Sequence, residues 1–254
     1  MKNWKNNIYF ILVEPKESGN IGSAARAMNN MDFHNLRLVN PPSLDTDEAR
    51  MFAHGSREIL KTAKSFASLE EAVSDMQYVV GTTRRRGRRR GAYVPVDQGT
   101  GRLYEFAAAN KVAVLFGRED RGLFNEEVDR CGFLMTIPAN KKQPSINLAH
   151  TVMIIAYELS MAGIKERGLA KDGELLFARP PKLVDQKATA LLYERMEKAL
   201  RMIEYIPHDG DLTGKKTMQN IKHCLGRAGL ADWELNMFHG ICRSIENKQG
   251  KRDS

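Results

Sequence analysis

Cysteine is scarce in this 254-residue chain, which has only Cys131, Cys224 and Cys242. Odd in number and far apart, they exclude a disulfide framework and give no metal-type spacing. A reducing cytoplasm fits that usage. His34, His54, His150, His208, His223 and His239 show no ligand spacing either, so no metal is expected. No apolar run approaches the ~18 residues of a membrane span; the longest candidate, Ala149 to Ala156, is soon followed by Glu158. The Ile8–Val13 run lacks a small-residue cleavage site after it, so no signal peptide is expected. A G-x-G-x-x-G with a later acidic residue is also missing: Gly19 and Gly22 do not fit it, which counts against a dinucleotide-binding oxidoreductase.

What is present is an ordinary globular balance, 42% hydrophobic and 28% charged, with a net charge of +8. That excess points to a polyanion, either nucleic acid or an acidic membrane surface. Short apolar runs at Ile8–Val13, Leu36–Val39, Tyr78–Val80, Val112–Phe116 and Phe133–Ile137 read as buried strands. Between them lie helical stretches: 21–31 (with Asn20 as a candidate cap), 47–52, 56–64, 69–75, 103–110 and 125–130. Residues 147–161 form another, with Leu148, Val152, Ile155 and Leu159 on one face. Strands alternating with helices predict an α/β fold on a parallel sheet. Residues 83–101, rich in Arg and Gly, read as a long loop. Residues 1–164 form the α/β domain, 165–185 a linker with Gly168, Gly173 and Pro180-Pro181, and 186–254 a small helical domain.

Three segments begin where strands end. Glu14-Pro-Lys-Glu-Ser-Gly-Asn-Ile-Gly-Ser-Ala-Ala-Arg26 puts glycines at a helix start, where backbone N–H groups can approach a phosphate; equally it is a glycine turn before a packed helix. Leu115-Phe-Gly-Arg-Glu-Asp-Arg-Gly-Leu123 lets a ligand ring approach at Gly117, or is a solvated turn with Arg118–Glu119 pairing. In Ile137-Pro-Ala-Asn-Lys-Lys-Gln-Pro-Ser-Ile-Asn-Leu-Ala149, Ser145 or Asn147 can cap the next helix.

In this order and spacing the three segments resemble the signature motifs of the SpoU-like branch of the SPOUT RNA 2'-O-ribose methyltransferases. Asn20 with Arg26 resembles the first motif, Gly117 with Glu119, Gly122 and Leu123 the second, Ser145 with Asn147 the third. Agreement is longest with the TrmJ-type tRNA methyltransferases: Leu-Val-Glu-Pro at 12–15, Gly-Asn-Ile-Gly-Ser-Ala-Ala-Arg-Ala-Met at 19–28 and Leu-Val-Asn-Pro at 38–41. The resemblance implies a parallel sheet with a C-terminal trefoil knot, S-adenosylmethionine bound bent in the knot, and a homodimer with no membrane association. It implies cofactor contacts by Thr82, Thr83, Arg84, Gly117, Ile137, Pro144, Ser145 and Ile146. It assigns removal of the ribose proton to Arg26, with Asn20, Glu119, Ser145 and Asn147 orienting it. The substrate implied is tRNA, at cytidine or uridine 32 of the anticodon loop. Another tRNA or rRNA site is the alternative, and a non-catalytic RNA-binding protein on the same fold a second one.

A guanidinium with a pKa above about 12 is an awkward base. Either Arg26 deprotonates transiently, or it stays charged, binds a phosphate and stabilises the developing alkoxide. Six arginines in seven residues, including Arg85, Arg86, Arg88, Arg89 and Arg90, suggest a clamp on the tRNA backbone; the plain alternative is a solvated basic loop. The tail carries Lys215, Lys216, Lys222, His223 and Arg227 and is expected to aid tRNA binding or dimer geometry. Trp233, Leu235, Met237 and Phe238 are expected to pack within it or against the main domain.

Overall fold

β1 (Ile8–Val13) shows how the sheet forms, since its burial alternates between two cores. Ile8, Phe10 and Leu12 enter one apolar cluster, and Ile11 and Val13 enter another on the opposite face. A strand buried on both sides must be apolar throughout, which is why the run contains no polar alternation. β6 (Val112–Phe116) behaves identically, with Val112, Val114 and Phe116 on one side and Ala113 and Leu115 on the other. A computed structural model describes residues 4–84, 93–169, 181–207 and 212–250.

The remaining strands are β2 (Asn35–Val39), β3 (Lys64–Phe66), β4 (Tyr78–Thr82), β5 (Tyr93–Pro95) and β7 (Phe133–Thr136). They join a seven-stranded sheet in the order β3-β2-β1-β6-β4-β7-β5, parallel at every pairing. One face is covered by α1 (Ser18–Asn30), α5 (Val96–Ala107) and α7 (Leu148–Leu169). They contribute Ile21, Met28, Leu103, Val152, Ile155 and Leu159 to the larger core. The other face is covered by α4 (Leu69–Val73) and α6 (Asn125–Val128). α2 (Asp47–Phe52) and α3 (Arg57–Thr62) lie along α1.

Several sequence expectations change. β3 is a three-residue edge strand, and its exposed Lys64 and Ser65 give no buried-strand signal. The expected loop at 83–101 contains β5 and the first turns of α5; Gly99 and Gly101 dilute the helical pattern there. Helix α1 starts at Ser18, so Asn20 sits in its first turn and does not cap it. That releases the Asn20 side chain for other partners.

In the middle of β2, Arg37 is buried and donates to Asp75, which precedes β4, at 2.6 and 3.0 Å. Lys111 adds a third contact to Asp75 at 2.8 Å. The Arg37 hydrogen bond above all, outweighing desolvation and helped by Lys111, holds the Asp75 carboxyl far below the usual range.

Three helices follow: α8 (Gln186–Met202), α9 (Leu212–Ala228) and α10 (Asp232–Gly250). Leu192, Leu230 and Leu235 form their own small core, with Phe238 packed against it. Trp233 and Met237, expected to pack inward, are exposed. The extension is fixed to the N-terminal ends of β4 and β7. Gln186 N–H donates to the Met76 carbonyl at 2.9 Å and Tyr78 Oη to the Arg227 carbonyl at 2.9 Å. Gly132 and Gly226 meet backbone to backbone.

Candidate active site

The opposite, C-terminal ends of the central strands release three loops toward one another. Residues 82–84 leave β4, 117–123 leave β6 and 137–146 leave β7, and together they line an open hollow of about 100 Å³. This is where parallel sheets bind ligands. Thr82, Thr83, Arg84, Gly117, Ile137, Pro144, Ser145 and Ile146 all line it. Phe116, Leu123 and Met135 supply an apolar wall.

Gly117 has a specific reason to be glycine. A Cβ there would overlap the Gly122 carbonyl carbon and the Leu123 amide nitrogen, backbone atoms that cannot swing aside. The 117–123 loop therefore doubles back tightly, closed by Gly122 N–H to the Arg118 carbonyl at 2.7 Å. Gly122 has φ +63, which favours glycine.

A relay of amides ties the first and third motif segments to the second. Asn147 Oδ1 accepts the Ala149 and His150 N–H groups at 2.8 and 3.3 Å, capping α7. Its Nδ2 donates to Asn20 Oδ1 at 3.0 Å. Asn20 Nδ2 in turn donates to Glu119 Oε1 at 2.9 Å, and Lys16 N–H donates to Glu119 Oε2 at 3.1 Å. Asn147 thus caps α7 and ties it to Asn20. Ser145 is exposed on the rim and caps nothing.

Arg26 is not brought to this pocket. It is exposed on α1, and six residues at about 1.5 Å rise place it roughly 9 Å along the helix from Asn20. Arg85, Arg86, Arg88, Arg89 and Arg90 lie outside the described residues.

Sequence reasoning missed the role of Arg118. It does not pair with Glu119 on the surface; it is buried and reaches back across the sheet end. Nε donates to Glu14 at 2.8 Å, and Nη1 and Nη2 donate to Glu127 at 3.1 and 2.9 Å. The guanidinium also lies 3.9 Å over the Phe124 ring. Burial alone would lower its pKa, but the bonds to Glu127 and Glu14 outweigh that and raise it. The Arg118 hydrogen bond, against desolvation, lowers the Glu14 pKa. Glu14 and Asn40, ending β1 and β2, both have positive φ (46 and 43). The signal available in the sequence was only the Glu127 that follows Phe124 by three residues, whose carboxylate accepts the Phe124 N–H at 2.7 Å.

A backbone-built hollow at the C-terminal ends of parallel strands, braced by buried charge and an amide relay, defines an α/β ligand-binding enzyme scaffold. The chain belongs to the SpoU rRNA Methylase family, whose sequence profile matches residues 7–157. It is 36% identical over 247 residues to the tRNA (cytidine/uridine-2'-O-)-methyltransferase TrmJ of Salmonella choleraesuis, covering 95% of this chain and 97% of that protein. It is 33% identical over 240 residues to the tRNA (cytidine/uridine/adenosine-2'-O-)-methyltransferase TrmJ of Pseudomonas aeruginosa, covering 93% and 92%. The crystal structure of TrmJ from Z. mobilis superposes with a TM-score of 0.76 at 27% identity, covering 94% of this chain and 98% of that one.

Proposed function

We propose that this protein is an S-adenosylmethionine-dependent tRNA 2'-O-ribose methyltransferase. One observation carries the reading: Gly117, Ile137 and Ser145, from three separate segments, line one hollow. Family membership and relatives named for this reaction over nearly the full chain support it. The residues present fit the donor, with apolar Phe116, Leu123, Met135 and Ile137 to hold a purine ring and loop backbone to read its edge. The tight return of the chain at Gly117–Leu123 suits the C-terminal trefoil knot that we propose for this end of the sheet.

When bound, S-adenosylmethionine supplies an electrophilic methyl group on a sulfonium whose sulfur leaves with the C–S electron pair. A ribose 2'-oxygen aligned with that methyl would take it up, its proton going to solvent. The chain's task is alignment, which contributes about 7–11 kcal/mol at best. Asn20, Glu119, Ser145 and Asn147 orient the ribose at the rim. Arg26 stays protonated, grips the adjacent phosphate and stabilises the oxyanion as it forms; deprotonating it would cost far more.

Because Arg26 stands away from its own pocket, we assign it to the pocket of a second copy in a homodimer. Tyr157 and Ile164, one heptad apart on α7, are exposed beside α1 and suit that contact. In this reading the catalytic domain runs to the end of α7 at Leu169, past the expected boundary at 164, with a connector up to residue 185 and a helical extension over 186–254. Arg85, Arg86, Arg88, Arg89 and Arg90 clamp the tRNA backbone, the target is nucleotide 32, and the enzyme works in the cytoplasm.

Methyl transfer to tRNA transcripts, with mapping of the 2'-O-methylated nucleotide, tests this. R26A should lose activity by about 10²–10³-fold while still binding S-adenosylmethionine. An R26A enzyme at full rate would overturn the arginine's role, and a wild-type protein that binds no S-adenosylmethionine would overturn the whole reading.

A further inference from the structure

The surface beside Arg26 carries an aromatic ring that the methyl-transfer site does not use. Segment 46–55 runs along α1, and the contacts fix its register. Thr46 Oγ1 donates to Ser18 Oγ at 2.9 Å. A Cβ at Gly22 would sit 2.5 Å from the Ala49 carbonyl oxygen and 3.2 Å from Phe52 Cβ. Asn29 Nδ2 donates to the Gly55 carbonyl at 3.1 Å. Residues 22, 26 and 29 share one face of a helix, so Arg26 stands abreast of residues 52–55. Phe52 is 42% exposed there, with His54 also exposed two residues further on.

We infer that Phe52 is a stacking platform for a nucleobase at or next to the ribose that Arg26 engages. Single-stranded RNA bases leave their own stack to enter such sites, and an aromatic face replaces the contact they lose. The two groups divide the nucleotide between them. The guanidinium meets phosphate, and the ring meets the π-face of the base, without regard to its hydrogen-bonding edge. The site therefore holds a nucleotide in place without selecting strongly among bases.

This rests on the methyltransferase reading, and the experiment separates the two. Wild type, F52A, F52L and F52W are compared in steady-state methylation of tRNA transcripts, with S-adenosylmethionine affinity and sedimentation measured alongside. F52A should lower kcat/KM for tRNA about 5- to 150-fold, mainly through KM. F52W should match wild type, and F52L, apolar but without a π-face, should resemble F52A. Affinity for S-adenosylmethionine and oligomeric state should not change. An F52L enzyme as good as wild type overturns the platform, as does an F52A protein whose oligomeric state changes, because Phe52 then serves contact between copies. If F52A does not fold, the F52L and F52W pair still decides. A wild-type protein that methylates no tRNA sinks the underlying reading and this inference with it; an active wild type with unaffected F52A and F52L sinks only the inference.

Discussion

Replacing Arg118 with Met tests whether the buried triad, as well as the pocket wall, makes the site. The substitution keeps length and apolar stem but removes the charge between Glu14 and Glu127. The Arg118 side chain is 6% exposed, Glu127 is 13% exposed and Glu14 is 44% exposed. Stranding one side of a buried pair costs about 3–5 kcal/mol. Glu127 keeps the Phe124 N–H, and Glu14 is solvated enough to recover part of its hydration, so the low end, about 3 kcal/mol, applies. For a domain of this size each kcal/mol lowers Tm by about 2–4 °C, which gives a drop of roughly 6–12 °C by calorimetry.

The same variant should weaken S-adenosylmethionine binding by about tenfold or more, since the 117–123 loop loses its brace. A double variant, R118M with E127Q, should recover part of the lost Tm by removing the stranded charge. Acid adds an independent check. The Glu14 pKa is lowered in the folded protein from 4.5, so its pairing contributes fully above that value and is lost as pH falls through the lower folded pKa. The gap between wild type and R118M should therefore narrow below pH 4.5. An R118M protein melting within about 2 °C of wild type at neutral pH would refute the argument.

G117A should abolish detectable cofactor binding, because its Cβ meets only backbone. G101A, with open space around the new methyl and a place within α5, should instead stabilise by about 0.5–1 kcal/mol; equal effects in calorimetry and titration would contradict this. D75N should cost roughly 1–2 kcal/mol at neutral pH after allowing for its partial exposure, progressively less as acid protonates the wild-type carboxyl, and leave S-adenosylmethionine affinity unchanged. Changing Arg88, Arg89 and Arg90 to Ala should reduce the log–log salt slope of tRNA binding by up to about 3, measured by filter binding; an unchanged slope would reject the clamp.

The strands β1 and β6 were legible to the residue, because a strand buried on both faces leaves an unbroken apolar run. β3 and β5 were not: each is three residues long at a sheet edge, where pairing with a neighbour rather than composition makes the strand. The eight residues that the motif resemblance assigns to the cofactor come from three separate loops, and they line one hollow. Arg118 was hidden for a physical reason. A cation within a run of polar residues reads as solvated, and its partner Glu14 is 104 positions away. Only a fold that joins the ends of β1 and β6 brings the two together. Of the two roles the sequence offers for Asn20, the cap fails because α1 starts at Ser18, and its side chain instead bonds Glu119, 99 positions away.

The two ends of the sheet also constrain what the helical extension can do. Its anchors, the Arg227 carbonyl on Tyr78 and Gly226 on Gly132, hold it where β4 and β7 begin, whereas the hollow opens where they finish. Five residues of strand at about 3.3 Å each separate those levels by roughly 17 Å. Among the described residues, none of the extension lines that hollow. Arg102 reinforces the attachment by donating to the same Arg227 carbonyl, and Gln219 and His223 both reach Asp129, at 2.7 and 3.2 Å. Within one chain, a contribution to tRNA binding from Lys215, Lys216 or Lys222 comes from RNA that continues past the rim and down the flank of the domain. A substrate with a body beyond the reacting loop meets that condition, and a short single-stranded oligonucleotide does not.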